Sequence, residues 1–393
     1  MAALIRPLRF PPSPRRAVGA LCFALAVAVA ALSSAVAQTP ETNARQALMV
    51  DLSTDTVLLS VNADQRMYPA SMTKLMTAYL VFERLQNGTL SLDDAFPVSE
   101  RAWRKGGSKM FVEVGDRVRV EDLLRGVIIQ SGNDATIVLA EGVAGTEEAF
   151  AREMTAKARE LGMDNTVFRN ASGWPNPQHY TTARDLSILA ESLISRFPEF
   201  YHLYSETEFT YSEITQQNRN PLLYRNIGAD GLKTGYTEES GYGLVASAER
   251  DGRRLLMVIN GLDSARARSQ EAERLMNWGF REFGAYDLFE AGDVVDEAPV
   301  WLGRQGAVPL IIEEDLAITL RRNMRDDMKV SLVATLPIEA PVEAGAVVGQ
   351  VTVTAPGLEP VSAPVRAAHA VEKLGTFGRV QAALEYLVFG ESQ

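Results

Sequence analysis

The chain contains very little cysteine, histidine or lysine: one cysteine, three histidines and seven lysines stand against thirty-two arginines among 393 residues. Because Cys22 lies in the apolar N-terminal stretch, the rest of the chain can form no disulfide, zinc–thiolate site or cysteine nucleophile. His179, His202 and His369 stand in neither a Gly-x-Ser-x-Gly nor a His-Glu-x-x-His pattern. This absence argues against a Ser–His–Asp hydrolase and a zinc peptidase, and we expect neither a metal nor a cofactor.

The N-terminal stretch is typical of an export signal. Four arginines precede an apolar run over residues 17–32, and Ala35-Val36-Ala37 follows as a small-x-small cleavage signal. We therefore predict a secretory signal peptide over residues 1–37. A retained membrane anchor is the alternative, but the run is short for a bilayer span.

The chain also lacks a basic excess. Its formal net charge is −11, and removal of the leader, which holds four arginines and no acidic residue, lowers that charge to −15. Phosphate backbones attract basic surfaces, so we expect no nucleic-acid partner. The same charge disfavours purely electrostatic attachment to anionic lipid.

The residue pattern predicts an α/β (α+β) first domain over residues 38–286, in which an antiparallel sheet is covered by helices. Strand pairs are predicted at 47–62 and at 243–262, the second with a turn at Asp251-Gly252. A capping box, Thr182-x-x-Asp185, marks one helix start. Apolar spacing and capping signals place helices after Ser71 and at 120–130, 134–145, 146–162, 181–197 and 271–283.

The pattern of apolar and polar residues changes after about Tyr286. Short alternating runs broken by proline and glycine predict a small all-β sandwich domain over residues 290–366. Apolar residues at helical spacing then predict a C-terminal amphipathic helix over residues 371–390. Two roles are open for this helix, which are packing on the β-domain and lying flat on a membrane.

Ser71 and Lys74 stand three residues apart, just after Pro69, at the start of a predicted buried helix. That spacing places both side chains on one helix face. Serine is a weak nucleophile that needs a neighbouring base, and lysine accepts a proton only where burial or a nearby cation lowers its pKa. Free backbone N–H groups at a helix start can also stabilise an oxyanion. The alternative is an N-cap serine followed by a solvated lysine.

Two further motifs favour the catalytic interpretation, because Ser131-Gly132-Asn133 and Lys233-Thr234-Gly235 follow in chain order. With so few lysines, Lys-Thr-Gly is expected by chance only roughly 0.03 times. Ser-x-Asn is a weaker signal, since Ser60-Val61-Asn62 also matches, but that serine lies upstream in a predicted strand. Together the three motifs indicate a serine nucleophile with a lysine base.

This set of motifs resembles the low-molecular-mass penicillin-binding proteins, the D-alanyl-D-alanine carboxypeptidases of peptidoglycan metabolism. The likeness also covers the β-domain and the final helix. It implies a β-lactamase/transpeptidase-like fold and a periplasmic enzyme held on the outer face of the cytoplasmic membrane by the C-terminal helix. The implied ligands are peptidoglycan D-Ala-D-Ala peptides and β-lactam antibiotics. The matching stretches are YPASMTKLMT, IIQSGNDATIVLAE, NASGWPNPQHYTTARD, DGLKTGYTEESGYGLVASA and EAERLMNWGF.

The resemblance implies a role for each residue around the reacting carbonyl. Ser71 attacks the D-Ala-D-Ala bond and Lys74 is the general base. Ser131 passes a proton to the leaving amine, while Asn133 bonds the substrate amide. The backbone N–H groups of Ser71 and Tyr236 form the oxyanion hole. Many relatives carry histidine where this chain has Tyr236, so the effect of that side chain on deacylation and peptide preference stays open.

The resemblance also implies how the terminal carboxylate is held. Lys233 supplies positive potential, Thr234 binds the carboxylate, and Gly235 lets the strand approach closely. An arginine in the stretch SARARSQ also holds the carboxylate, with Arg268 the first choice and Arg266 the second.

Other activities remain as alternatives. A D,D-endopeptidase would cut cross-links with the same chemistry, and a transpeptidase would need an acceptor amine site that the sequence does not reveal. A function of a different kind is also open, namely a catalytically silent scaffold that recognises penicillin and binds the cell wall. The stretch SGWPNPQHY lacks the glutamate that deacylates class A β-lactamases, so we do not expect fast β-lactam hydrolysis. His179, in that loop, is either structural or at the edge of the site.

Overall fold

The computed structural model describes residues 3–7 and 40–380. The predicted signal peptide therefore lies outside the described residues, except for a short strand β1, Ala3–Pro7. The chain divides into two compact units, one of residues 39–282 and one that contains residues 283–393.

The unit of residues 39–282 combines one main sheet with helices, as predicted. Its strands are β2 (Gln46–Asp51), β3 (Thr56–Val61), β4 (Ala95–Pro97), β5 (Arg117–Arg119), β6 (Glu208–Tyr211), β7 (Ile214–Gln217), β8 (Ala229–Thr237), β9 (Gly241–Arg250) and β10 (Arg253–Leu262). Its helices are α1 (Lys74–Gln86), α2 (Glu100–Arg104), α3 (Val120–Ile128), α4 (Asn133–Ala144), α5 (Glu147–Glu160), α6 (Ala183–Arg196), α7 (Pro198–Tyr201) and α8 (Ala265–Glu282). Short 3₁₀ turns lie at Ala70–Thr73, His202–Ser205 and Pro221–Tyr224.

The main sheet is antiparallel, with the strand order β3-β2-β10-β9-β8. Strands β9 and β10 are joined by a two-residue turn in which Asp251 and Gly252 both have positive φ, as a tight hairpin turn requires. Strand β8, which carries the Lys-Thr-Gly motif, lies at one edge of the sheet. The late strands β8–β10 thus join the sheet beside the early strand β2. This arrangement brings the Lys-Thr-Gly motif on β8 close to the turn that carries Ser71.

Helices cover both faces of the sheet, because side chains alternate along each strand. Leu256 and Val258 of β10 join the large apolar core formed with α1 and α3–α6. Leu255, on the opposite face, lies against Gly279 of α8, where an added Cβ would come within 2.8 Å of its side chain. The predicted sheet covered by helices is therefore confirmed, although α8 begins six residues before the predicted start.

One capping prediction is only half right. Thr182 caps α6, because its Oγ1 accepts the backbone N–H of Asp185 at 3.0 Å. The carboxylate of Asp185 accepts instead from the Thr166 hydroxyl at 2.6 Å and from the Asn165 backbone N–H at 2.9 Å. Asp185 therefore tethers the preceding loop to α6, a long-range contact that local sequence does not reveal.

The second unit is all-β, as predicted. Its strands are β11 (Phe283–Phe289), β12 (Val294–Trp301), β13 (Ala307–Ile312), β14 (Leu316–Arg321), β15 (Lys329–Thr335), β16 (Ile338–Glu339), β17 (Val347–Thr354) and β18 (Val361–Ala367), with a 3₁₀ turn at Arg322–Asp327. They form one sheet in the order β1-β15-β17-β18-β13-β12-β16 and a two-stranded sheet of β11 and β14. Alternate residues of these strands point into a core that includes Val308, Leu310, Val351 and Val365.

Half of the predicted C-terminal helix, residues 381–390, lies outside the described residues. The predicted start at residue 371 is wrong, because Val371 and Lys373 form β-bridges with Val342 and Gly303, and the backbone is helical only over residues 376–380, where the description ends. In the described part of the chain, no helix has the length and the apolar composition needed to cross a bilayer.

Candidate active site

Ser71 lies in the 3₁₀ turn Ala70–Thr73, which runs directly into α1. The turn has no side-chain cap, so Ser71 is not an N-cap residue. Lys74 is the first residue of α1, and its Nζ lies 3.1 Å from the Oγ of Ser71. The i, i+3 spacing thus places the hydroxyl and the amine in direct hydrogen-bond contact.

Lys74 is buried, with 1% of its surface exposed, and has no acidic partner in contact. Its amine donates to the Asn133 Oδ1 at 2.8 Å and to the Ser172 carbonyl at 2.7 Å. Burial is the main reason that the pKa of Lys74 falls to about 7, and the positive charge of Arg219 lowers it further. Near neutral pH a large fraction of the amine is therefore uncharged and able to accept a proton.

The Ser131-Gly132-Asn133 motif forms the connection between α3 and α4. Ser131 has a φ of 61°, a left-handed conformation that is uncommon outside glycine, and its buried Oγ has no hydrogen-bond partner within the described residues. Asn133, the first residue of α4, bridges Lys74 to the loop at Gly106, whose carbonyl accepts from Asn133 Nδ2 at 2.9 Å. A strained backbone that presents an unpaired hydroxyl is a feature typical of functional sites.

Asp134 fixes the position of this second motif. Its buried carboxylate accepts the backbone N–H groups of Met110 at 2.8 Å and Phe111 at 2.9 Å. The loop that holds Gly106 is thereby attached to the start of α4. Three elements distant in sequence, namely the α1 start, the α4 start and this loop, meet at Asn133.

The Lys-Thr-Gly motif lies on β8, which packs against the 3₁₀ turn that carries Ser71. A Cβ added to Gly235 would lie 2.9 Å from the Pro69 carbonyl, so only glycine allows the strand to come this close. Lys233 is 2% exposed and Thr234 is 5% exposed. Burial, and then the charges of Lys74 and Arg219, hold the pKa of Lys233 well below its usual value. A bound anion would reverse this effect, because it favours the charged form of the amine.

Tyr236 lies near the end of β8, and Arg268 lies in the first turn of α8. Tyr236 is half exposed and its ring stacks on that of Tyr242, with 4.1 Å between the ring centroids. The guanidinium of Arg268 lies 5.8 Å from the Tyr242 ring, and its buried Nε has no hydrogen-bond partner among the described residues. Burial lowers the pKa of Arg268 to about 10, so it remains a cation at neutral pH. Arg266, the second choice, is exposed.

Sequence reasoning missed two contributors to the site. Arg219 donates to the Ser108 hydroxyl, and its charge lowers the pKa of both buried lysines. Ser172 contributes only its carbonyl, and its loop is held by the Asn170 side chain, which accepts the backbone N–H of Gly173 at 2.8 Å. No motif marks either residue, because one acts through its charge and the other through its backbone.

His179 makes structural contacts and also lines the cavity that contains Ala70 and Thr237. It is 2% exposed, and burial lowers its pKa to about 4, so the ring is neutral. Its Nδ1 accepts the backbone N–H of Arg169 at 3.3 Å, which leaves Nε2–H to donate to the Thr73 hydroxyl at 2.9 Å. The ring therefore connects the loop after α5 to the turn that carries Ser71.

Comparisons with known proteins agree with this geometry. A family profile described as D-alanyl-D-alanine carboxypeptidase matches residues 33–264, and one described as penicillin-binding protein 5, C-terminal domain, matches residues 283–373. The D-alanyl-D-alanine carboxypeptidase DacC of Escherichia coli is 38% identical over 351 residues, which cover 87% of this chain and 88% of that protein.

Solved structures give the same result. Penicillin-binding protein 5 from Haemophilus influenzae has a TM-score of 0.76 and 36% identity, and the match covers 86% of this chain and 99% of that chain. The ampicillin-bound form of penicillin-binding protein D2 from Listeria monocytogenes matches 61% of this chain and 98% of that chain, with a TM-score of 0.56 and 33% identity. This chain is therefore a member of the D-alanyl-D-alanine carboxypeptidase family, the low-molecular-mass penicillin-binding proteins.

Proposed function

We propose that this protein is a serine D-alanyl-D-alanine carboxypeptidase that removes the terminal D-alanine from peptidoglycan pentapeptides through an acyl-enzyme on Ser71. The observation that carries the proposal is the contact of the Ser71 hydroxyl with a buried Lys74 amine whose pKa is about 7. A solvated lysine would stay charged at neutral pH and could not act as a base. Burial of Lys74 therefore supplies the uncharged amine that the reaction requires.

Acylation then follows from the positions of the side chains. Ser71 Oγ attacks the carbonyl of the penultimate D-alanine while Lys74 takes its proton. The backbone N–H groups of Ser71 and Tyr236 stabilise the oxyanion. The proton taken up by Lys74 reaches the nitrogen of the leaving D-alanine through the Ser131 hydroxyl, which gives one proton and receives one, so Lys74 is neutral again; Asn133 holds the substrate amide. Water later attacks the ester while Lys74 takes its proton, and Lys74 returns this proton to the Ser71 oxygen as the shortened peptide leaves.

The terminal carboxylate of the substrate is held by a set of cations. Lys233 and Thr234 on β8 lie at one end of the site, and Gly235 brings the strand close to the nucleophile. Arg268, whose Nε has no partner among the described residues, binds the same carboxylate. Arg219 adds positive potential from the opposite wall. Because anion binding favours charged Lys233, we expect substrate binding to be accompanied by proton uptake.

β-Lactam antibiotics acylate the same serine, because their strained amide occupies the position of the D-Ala-D-Ala bond. The loop of residues 172–180 contains no glutamate to activate a deacylating water. The penicilloyl ester is therefore long-lived, and the antibiotic acts as an inhibitor.

The protein is exported, and its C-terminal segment associates with the outer face of the cytoplasmic membrane. Where the described helix begins, Phe377 is 94% exposed and Val380 is 56% exposed, so apolar side chains are available for insertion between lipids. Flotation with neutral vesicles, comparing residues 38–393 with a chain that ends at residue 375, tests this role and keeps Val371 in the β-domain core. The proposed organisation is a signal peptide at 1–37, a catalytic domain at 38–286, a β-sandwich at 290–366 and a membrane helix within the predicted segment 371–390, from residue 376 onward.

The decisive assay measures D-alanine released from a pentapeptide with and without benzylpenicillin. We expect release by the wild-type protein, inhibition by penicillin and no release by Ser71→Ala. Purified cross-linked peptidoglycan serves as a second substrate. Cleavage of its cross-linked dimers into monomers would identify an endopeptidase. A protein that binds penicillin but releases neither product would be the silent scaffold.

A further inference from the structure

Two adjoining cavities lie near the candidate nucleophile. The first, of about 210 Å³, is lined by Ala70 and Thr237. The second, of about 410 Å³, is lined by Arg45 and Arg66. Both cavities are lined by Tyr68, Pro177 and Glu239, so they lie side by side. We call these two adjoining cavities the side groove.

The direction of β8 indicates which part of a substrate enters the side groove. Under the proposed function, on which this inference rests, the terminal carboxylate lies at Lys233 and the reacting carbonyl at the N–H of Tyr236. Residues that precede the scissile bond must then continue past Thr237, where β8 ends. Thr237 and Glu239 both line the first cavity. The side groove therefore receives the amino-terminal part of the donor peptide.

The charges in the side groove have a defined order. Glu239, exposed and shared by both cavities, comes first, and Arg66 and Arg45 follow in the second cavity. Arg66 lies flat over the Tyr180 ring at 4.4 Å from its centroid, and Arg45 donates its Nε to the Gly261 carbonyl at 3.1 Å. Within residues 40–380, the guanidinium of Arg66 and the carboxylate of Glu239 form no ion pair with each other or with another side chain. Both charges are thus available to a ligand.

A peptidoglycan stem carries charges in the matching order. The residue before the two D-alanines is a diamino acid, whose free amine is a cation. The residue before that is a D-glutamyl unit linked through its side chain, which leaves its α-carboxylate free. We propose that the side groove binds the donor stem by charge, with Glu239 receiving the ammonium of the diamino acid and Arg66 receiving the free carboxylate.

The dimensions fit this assignment. Arg66 is five residues before Ser71, so their Cα atoms are at most about 18 Å apart. In an extended stem the glutamyl carboxylate lies about 12 Å from the reacting carbonyl. The arginine side chain spans several ångströms more and its planar guanidinium suits a carboxylate. Its stacking on Tyr180 restricts the side chain before a ligand binds, which limits the entropy lost on binding.

The first test crosses one substitution with one change in the substrate. The paired substrates are L-Ala-D-isoglutamyl-L-Lys-D-Ala-D-Ala and its uncharged D-isoglutaminyl analogue. We expect Arg66→Gln to lower kcat/KM about three- to tenfold with the first peptide and to leave the second unchanged. Arg117→Gln, an exposed arginine on β5 outside the side groove, is the matched control and should affect neither peptide. An equal loss with both peptides, or no loss with either, would overturn the assignment of Arg66.

The second test addresses the ammonium. Glu239→Gln should lower kcat/KM for the peptide with a free lysine amine and leave unchanged the peptide with Nε-acetyl-lysine. Equal effects on both would overturn the assignment of Glu239. A diaminopimelate stem offers a second carboxylate on the diamino acid itself. If Arg66→Gln impairs isoglutaminyl peptides that carry diaminopimelate but no lysine peptide, Arg66 binds the carboxylate of the diamino acid and its assignment to the glutamyl carboxylate is overturned.

These outcomes are separable from the fate of the proposed function. D-Alanine release from both wild-type substrates establishes the reaction, whatever the variants then show. Binding of the same peptides to Ser71→Ala, measured by calorimetry, reports on the side groove without turnover. A twofold or smaller difference in affinity between isoglutamyl and isoglutaminyl peptides there would contradict the proposal even if the enzyme is active.

Discussion

Replacement of Lys74 by methionine tests whether the amine is uncharged in the folded protein, independently of any catalytic assay. Burial lowers the pKa of this lysine from 10.5 to about 7 in the native state, whereas the unfolded chain keeps the ordinary value. Between those two pH values the unfolded chain binds one more proton than the native protein. The free energy of unfolding of the wild type must therefore rise with pH relative to Lys74→Met.

The expected size of this pH-dependent difference in free energy of unfolding follows from the shift in the pKa of Lys74. Each pH unit changes the difference in free energy of unfolding by about 1.4 kcal/mol, so the full window from about 7 to 10.5 corresponds to about 5 kcal/mol. Over the practical range from pH 7.5 to 9.5, we expect a change of about 3 kcal/mol in favour of the wild type. Below pH 6 the difference should become constant, because both states then hold the proton.

Urea unfolding of the two proteins at several pH values, followed by tryptophan fluorescence, measures this difference. Lys109→Met is the control, because this lysine lies near the surface and donates to the Trp103 carbonyl. Parallel pH profiles for the wild type and Lys74→Met would refute the claim that the native amine loses its proton near pH 7.

Three further results are expected. The second-order rate constant of acylation by benzylpenicillin should fall about tenfold per pH unit below about 7, because the buried base becomes protonated; stopped-flow measurements from pH 5 to 8 check this. Gly173→Ala places a Cβ 1.7 Å from the Ala70 carbonyl oxygen and should lower the acylation rate at least tenfold. Gly162 has a similar positive φ but open space around it, so Gly162→Ala should only lower the free energy of unfolding by about 1 kcal/mol, as measured by thermal unfolding. Arg268→Gln should lower kcat/KM for D-alanine release about tenfold or more, and Arg266→Gln should leave it unchanged.

Much of the site is predictable from sequence because its chemistry depends on residue types at short spacings. Ser71 and Lys74 are one helical turn apart, so local geometry alone places them in contact. The Lys-Thr-Gly motif is rare enough to be informative in a chain with seven lysines. Local signals also identify the hairpin at Asp251-Gly252, because both residues of that turn need positive φ.

The rest of the site depends on contacts between distant segments. Ser172 binds Lys74 through a backbone carbonyl, which leaves no trace in residue type. Arg219 acts through charge on two buried lysines that are far from it in the chain. The left-handed backbone of Ser131 is imposed by its surroundings, since serine has no intrinsic preference for that conformation. Sequence patterns predict elements well, but these contacts arise only when the elements pack.

The capping prediction at Asp185 fails for the same reason. An acidic residue three positions after a threonine fits a capping box, and the threonine does cap α6. The carboxylate has two better donors in the loop at residues 165–166, one of them a hydroxyl at 2.6 Å. A local rule gives the correct helix start but cannot include partners that the fold brings from elsewhere.

The central claim is that Ser71 is the residue acylated with the help of Lys74. Mass spectrometry of the protein after treatment with benzylpenicillin, followed by peptide mapping, tests it most directly. We predict a single adduct with the mass of the whole antibiotic on the peptide that contains Ser71, no adduct in Ser71→Ala and strongly slowed labelling in Lys74→Met. An adduct on another residue, or equal labelling of Ser71→Ala, would contradict the account.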